Sequence, residues 1–260
     1  MRKADIYVFG KLAGALTEND DGQFSFLYNE QYLNDSSAVA VSCTIPLRSE
    51  AYVSNALFPF FDGLIPEGWL LDIAEKNWKL DGRDRMGLLL ACCSSAIGAV
   101  SVRRRGDTPP SAPAETSGGG RFHMASAAGL LHADFRIPGD EYALLFRLTD
   151  ALTHDRSAKH ELFRRACLNV VAHNRDDHLK NFSFLMDEKG RWSLAPFYDF
   201  TYAEGPNGWQ TLSVSGEGAN PGVDDLRRLA KDVGLDRDES EPILESVIEA
   251  CRNFVQHGVF

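Results

Sequence analysis

The chain is short of positive charge. Its 260 residues hold 27 lysines and arginines against 37 aspartates and glutamates, for a net charge of −10 and a pI near 5.2. That balance argues against a protein whose whole surface binds nucleic acid or an anionic membrane. The one basic run, Arg103-Arg104-Arg105, reads as a solvated strand end. Cysteine is also scarce. Cys43, Cys92, Cys93, Cys167 and Cys251 make an odd set with no C-x-x-C. A disulfide framework is therefore not expected, and the set fits free thiols in a reducing compartment. No apolar stretch approaches the roughly 20 residues that a membrane span needs. No secretory leader is visible, because Met1-Arg-Lys-Ala-Asp5 runs straight into a strand-like segment. These absences point to a bacterial-type cytoplasmic protein. No internal repeat is present.

What remains is an ordinary globular composition, 44% hydrophobic and 25% charged, in a chain long enough to bury a core unaided. The first fifty residues read as a small antiparallel sheet. Ile6–Phe9 and Leu12–Leu16 flank a turn at Gly10-Lys11, Phe24–Tyr28 alternates, and Val39–Ile45 forms a β-branched run ended by Pro46. A helical stretch follows, with Trp69, Leu70, Ile73 and Ala74 at helical spacing and an apolar helix from Met86 to Cys93. Ala96–Val102 reads as a closing strand. Residues 107–120 are rich in Pro, Gly, Ser, Ala and Thr, which marks a flexible linker and a domain boundary. Ser117-Gly-Gly-Gly120 has no strand before it, so it reads poorly as a phosphate cradle. The expected division is 1–106, linker 107–120, and 121–260.

Beyond the linker the pattern is mainly helical. One helix ends near Thr153, and the next carries Leu162, Phe163, Ala166, Cys167, Val170 and Val171 and stops near His173. A polar loop and a hairpin follow, with Phe182, Phe184 and Met186 on one arm, a turn at Asp187–Gly190, and Trp192 and Leu194 on the other. Two helices close the chain. Asp224 and Ser240 are the expected caps, with Gly234 ending the first helix and Pro242 in the first turn of the second. The fold class is α+β: a small N-terminal sheet-and-helix subdomain, then a mainly helical lobe carrying a catalytic β-hairpin.

The loop Asn174-Arg-Asp-Asp-His-Leu-Lys-Asn181 carries the chemistry. Asp176 stands five positions before Asn181, the Asp-x4-Asn spacing of protein-kinase catalytic loops. Phosphoryl transfer needs a carboxylate to receive or orient the proton of the attacking hydroxyl. It also needs an amide across the same short loop to hold a metal ion. A second metal-binding Asp should come from a neighbouring hairpin, and Asp199 sits at the exit of this one. Each residue alone would serve equally as a loop cap or turn residue; the ordered set points to a phosphotransferase. His178 reads as a residue that holds Asp176 in place. Lys180 stands where a cation can neutralise the transferred phosphoryl group, and a solvated lysine is an equal reading. A rival chemistry is a metal-dependent phosphohydrolase built on His173, Asp176, Asp177 and His178. His123, His132, His154 and His160 offer no convincing pair to complete it.

The sequence resembles the HipA-like serine/threonine kinases, toxins of bacterial toxin–antitoxin pairs. Phe61-Asp-Gly-Leu-Ile-Pro66, Gly87-Leu-Leu-Leu90 and Ser95-Ala-Ile-Gly-Ala99 look like that family's N-terminal subdomain. Asp176–Asn181 looks like its catalytic loop, Leu194-Ala-Pro-Phe-Tyr-Asp199 like its metal segment, and Ser215-Gly-Glu-Gly218 like part of its C-terminal region. The resemblance implies Asp176 as catalytic base, with Asn181 and Asp199 as ligands of Mg2+. It implies ATP as donor and a protein hydroxyl as acceptor, with aminoacyl-tRNA synthetases among family targets. It also implies a DNA-binding, HipB-like antitoxin as partner, with DNA reached only through it. One departure stands out. No lysine lies between Lys79 and Lys159, where the family places the nucleotide lobe and its phosphate-holding lysine. Most of the ATP-binding lobe is therefore expected to be missing and ATP to bind poorly. A non-catalytic binding or immunity-type protein that engages the antitoxin or substrate is the alternative.

Overall fold

The computed structural model describes residues 1–95, 98–107, 122–134 and 139–256. The expected linker, from residue 108 on, lies outside the described residues, and so does the Ser117–Gly120 segment. The chain divides into two compact units, Met1–Asp134 with Phe184–Arg191, and Phe135–Ser183 with Trp192–Phe260. The architecture is α+β, as the sequence pattern implies.

In the first unit, strands β1 (Arg2–Val8), β2 (Lys11–Glu18) and β3 (Phe24–Tyr28) form an antiparallel meander. Val8 pairs with Lys11, so the β1–β2 turn is Phe9-Gly10 rather than Gly10-Lys11. Both turn residues take positive φ, 49° and 78°, the backbone twist that two-residue hairpins favour. Helix α1 (Glu30–Leu33) and strand β4 (Tyr52–Ser54) come next, then helices α2 (Pro59–Asp62), α3 (Gly68–Trp78) and α4 (Arg85–Cys92). Strand β5 (Val100–Arg104) completes the sheet in the order β4-β3-β2-β1-β5. It begins four residues later than expected, and Ala96 and Ile97 lie outside the described residues. Alternation places Ala4, Ile6, Val8, Leu16, Phe26 and Val102 on the buried face. Phe26 meets Phe61 of α2 there, with ring centroids 5.7 Å apart. Gly14 has no room for a side chain, because a Cβ would strike the Leu27 carbonyl and the Phe26 ring. Strand β6 (His123–Ser126) and helix α5 (Ala127–Leu131) follow, and β7 (Ser183–Met186) lies beside β6.

The segment Val39–Ile45 is not a strand. Its backbone is met by tyrosine hydroxyls and by a local bond from the Ile45 N–H to the Ser42 carbonyl at 2.9 Å instead of a ladder. The Tyr28 hydroxyl accepts from the Val41 N–H at 2.9 Å and donates to the Ile45 carbonyl, and the Tyr32 hydroxyl donates to the Val39 carbonyl at 2.9 Å. Val41 and Ile45 are buried nonetheless, so the β-branched run reports burial and not pairing. All five cysteines are free; Cys93 and Cys167 are buried, and burial lifts the Cys167 thiol to about 12.

The second unit is built on helices α6 (Tyr142–Thr153) and α7 (Arg156–Val171). From β7 the turn Asp187–Gly190 leads into strand β8 (Trp192–Leu194), which packs on α6. Helices α8 (Val223–Asp232) and α9 (Arg237–Gln256) pack on α7. Two capping assignments are corrected. Helix α8 starts from Gly222, whose N–H donates to the Asp225 carboxylate at 2.8 Å; Asp224 is already helical. Helix α9 starts at Arg237, so Ser240 lies inside it with its hydroxyl on the Asp236 carbonyl, and Pro242 lies past the first turn. Among the described residues, no helix is long and apolar enough to cross a membrane.

Candidate active site

Helix α7 ends where His173 turns to positive φ (58°), and the loop begins at Asn174. Its backbone is fastened before any side chain is considered. The Arg175 N–H donates to Ala203 O at 3.0 Å, and Arg175 O accepts from the Thr211 N–H at 3.1 Å and hydroxyl at 2.9 Å. The Arg175 guanidinium donates to Gly208 O and to Asn220 Oδ1. Gly205, at φ 69°, lies against Arg175 so closely that a Cβ would strike the backbone of Trp209 and Arg175. No other residue type fits there without moving the loop.

The two adjacent aspartates face opposite ways. The Asp176 side chain is 57% exposed, while Asp177 is 1% exposed. Asp177 Oδ2 accepts from the Tyr142 hydroxyl and from Gln210 Nε2 at 2.8 Å; Oδ1 accepts from the Leu212 N–H at 3.2 Å. Tyr142 Oη in turn accepts from Asn169 Nδ2 at 2.9 Å, and Asn169 Oδ1 from Asn174 Nδ2 at 3.0 Å. Burial pushes the Asp177 carboxyl up, against the pull of these donors. Burial, with the charge of Asp177, pushes Tyr142 well above the ordinary phenol range.

Of the other sequence-derived candidates, Asn181 is buried, and its Nδ2 donates to the Asp176 carbonyl at 2.9 Å. This bond fixes the amide's orientation and closes the loop between the two residues. Asn181 Oδ1 is then the atom suited to a hard cation. His178 Nε2 lies 4.0 Å from Asp176 Oδ1. Lys180 is half-buried, and its carbonyl accepts from the Tyr198 hydroxyl at 2.7 Å. Tyr198 also bonds Ser183 at 2.6 Å, so it ties the segment before Asp199 to the Asn174–Asn181 loop. Arg165, buried on α7, donates to Ala195 O at 2.7 Å and lies 5.3 Å from the Phe197 ring centre. Asp199 follows, exposed and at φ 57°, a left-handed backbone that Asp tolerates better than most residues.

The phosphohydrolase set does not assemble. His173 stacks on Tyr202 and Asp177 is committed to the core. Among the described residues, no group of three or more His, Cys, Asp or Glu could hold a metal. A nucleotide-borne Mg2+ does not need such a cluster, since it takes one or two protein ligands beside phosphates and water. Behind the loop lies a cleft of about 330 Å³ whose lining includes Trp209, Gln210 and Thr211. Sequence reasoning missed Tyr142, Asn169, Gln210, Tyr198, Arg165 and Gly205. For the five polar residues the available signal was polarity among less polar neighbours, and for Gly205 it was the turn-forming run Gly205-Pro-Asn-Gly208.

Two family models match the chain, the HipA N-terminal domain over residues 4–103 and the HipA-like C-terminal domain over 98–255. An uncharacterized protein of Haemophilus influenzae is 30% identical over 103 residues, 40% of this chain and 92% of that protein. Y4mE of Sinorhizobium fredii, a suspected kinase by its name, is 31% identical over 67 residues; the match takes in 26% of this chain and only 16% of Y4mE. Among solved structures, HipA of Shewanella oneidensis, in a complex with HipB and operator DNA, has a similar fold. Its TM-score is 0.72 at 15% identity, covering 94% of this chain and 88% of that one.

Proposed function

The chain belongs to the HipA-like family, and from that premise we propose that it is a serine/threonine protein kinase acting as the toxin of a toxin–antitoxin pair. One observation carries the reading. The exposed Asp176 is held by Asn181 through its own carbonyl, and Tyr198 fastens the approach to Asp199 onto the same loop. Asp176 would receive the proton of the acceptor hydroxyl, as the one aspartate of the pair open to solvent. His178, within 4.0 Å, would steady that carboxylate, and Lys180 would offset the charge of the phosphoryl group. Asn181 Oδ1 and the Asp199 carboxylate would hold Mg2+. Magnesium-ATP, when bound, supplies the transferable phosphoryl group. Catalysis of this kind is positioning and electrostatics, which matches a loop fastened at so many points.

The domain division 1–106, 107–120 and 121–260 belongs to the same proposal, as does a cytoplasmic setting. A HipB-like antitoxin is the proposed partner, with DNA met only through it; the Shewanella complex of HipA, HipB and operator DNA supports this.

The lysine gap between Lys79 and Lys159 sets an expectation for the nucleotide. Without a lysine to hold the α- and β-phosphates, affinity rests on the metal and its few ligands. Calorimetric titration should give magnesium-dependent ATP binding weaker than micromolar. Micromolar affinity would refute the lobe-loss account. No binding even at millimolar ATP would refute the kinase reading and leave a non-catalytic binding protein.

A further inference from the structure

The aspartate beside the proposed base is the more heavily bonded of the two. Asp177 is 1% exposed and accepts three hydrogen bonds, from Tyr142 on α6 and from Gln210 and Leu212. Behind Tyr142 stands Asn169 on α7, which in turn holds Asn174 at the loop's first position. Gln210 Nε2 also donates to the Asn174 carbonyl at 3.0 Å. The network therefore closes on itself. It runs from the loop's start, through both helices, and back to the residue next to Asp176.

A carboxylate costs free energy to bury and is found in a core only when well paired. An apolar residue would fill the same space without that cost, so solvent exclusion alone does not account for Asp177. What the carboxylate adds is direction. Three donors from two segments, α6 and residues 210–212, fix the orientation of one peptide unit, and that unit is the one following Asp176. Asp176 and Asp177 face opposite ways, so anchoring Asp177 inward aims Asp176 outward. Gln210 and Thr211, which bind Asp177 and Arg175, also line the cleft behind the loop, so base and cleft wall are held as one body.

We infer that Asp177 is a positioning residue, acting through Asp176 by fixing the aim of the proposed base; this rests on the kinase reading of the loop. It is not a catalytic residue, because its carboxylate is turned away from solvent and substrate.

The test uses the full chain carrying Asp177→Asn, with Tyr142→Phe as a milder variant that keeps the ring and loses only the hydroxyl. Backbone hydrogen exchange should quicken about tenfold in segments 174–182 and 209–214 and stay unchanged in β1–β3, α8 and α9. Under saturating magnesium-ATP, kcat should fall about 100-fold for Asp177→Asn, with KM for ATP within about twofold of the parent. Asp176→Asn combined with Asp177→Asn should be no slower than Asp176→Asn alone, since the second change acts only through the first. Unchanged exchange in the two segments, exchange that quickens uniformly along the chain, or a parental kcat would each overturn the inference. If the parent chain transfers no phosphate, the kinase reading fails, and the exchange data still decide whether Asp177 fixes the loop.

Discussion

Asp176→Asn will lower phosphoryl transfer by about 10²–10⁴-fold, the range expected for losing a positioned general base, and will leave the protein folded. The loop is held by groups other than the Asp176 carboxylate. Asn181 bonds the Asp176 carbonyl, Arg175 is fastened through its backbone, and Asp177 carries the inward anchor. The Asp176 side chain itself is 57% exposed, and exposed substitutions of similar size usually change stability by no more than about 0.5 kcal/mol. The same change at Asp177 would disturb three buried donors. The two neighbouring aspartates should thus be told apart by structure, with chemistry lost in an intact fold at 176 and lost together with a loosened loop at 177. Initial rates of labelling from γ-radioactive ATP, set beside thermal melts, measure both. Retained labelling in Asp176→Asn would show that another group receives the proton.

Acid should destabilise the first unit through one histidine. His123 is fully buried against Phe60, with ring centres 5.7 Å apart. Burial holds it neutral down to a pKa of about 4, with a backbone hydrogen bond involving Val41 acting in the opposite direction. In the unfolded chain its pKa returns to the ordinary value near 6.5. Between those two values the unfolded state binds the proton and the native state does not, so stability falls as pH drops through that window. The loss amounts to about 3 kcal/mol by pH 4. Carboxylates lose their own stabilising contacts over part of the same range, so the histidine is isolated by comparison. Urea midpoints at pH 7 and pH 4.5 should differ far less for His123→Gln than for the parent. Equal acid losses in the two proteins would rule His123 out as the cause.

The candidate loop was legible because its proposed catalytic residues are local. Asp176 and Asn181 share one short segment, and Asp199 follows a single hairpin later. Element positions were legible wherever hydrophobic period and length agreed, as in α4, α6, α7 and the β7–β8 hairpin. Val39–Ile45 deceived because β-branched residues mark burial, and its backbone partners include two tyrosine hydroxyls that no local pattern reveals. The caps of α8 and α9 were misplaced because several acidic or hydroxyl residues compete at each start and tertiary packing chooses among them. Asp176 and Asp177 are the sharpest case. They are chemically identical and adjacent, yet one faces solvent and the other the core. What separates them is Tyr142 and Gln210, 35 and 33 residues away. Long-range pairing of this kind leaves no trace in a single sequence.

The most direct test of the account is phosphoryl transfer by the parent chain. The protein is incubated with millimolar γ-labelled ATP and a protein acceptor mixture, with and without magnesium, and the labelled residues are identified. The account predicts slow, magnesium-dependent labelling of serine or threonine hydroxyls. Absence of transfer at saturating magnesium-ATP, or transfer indifferent to magnesium, would contradict it.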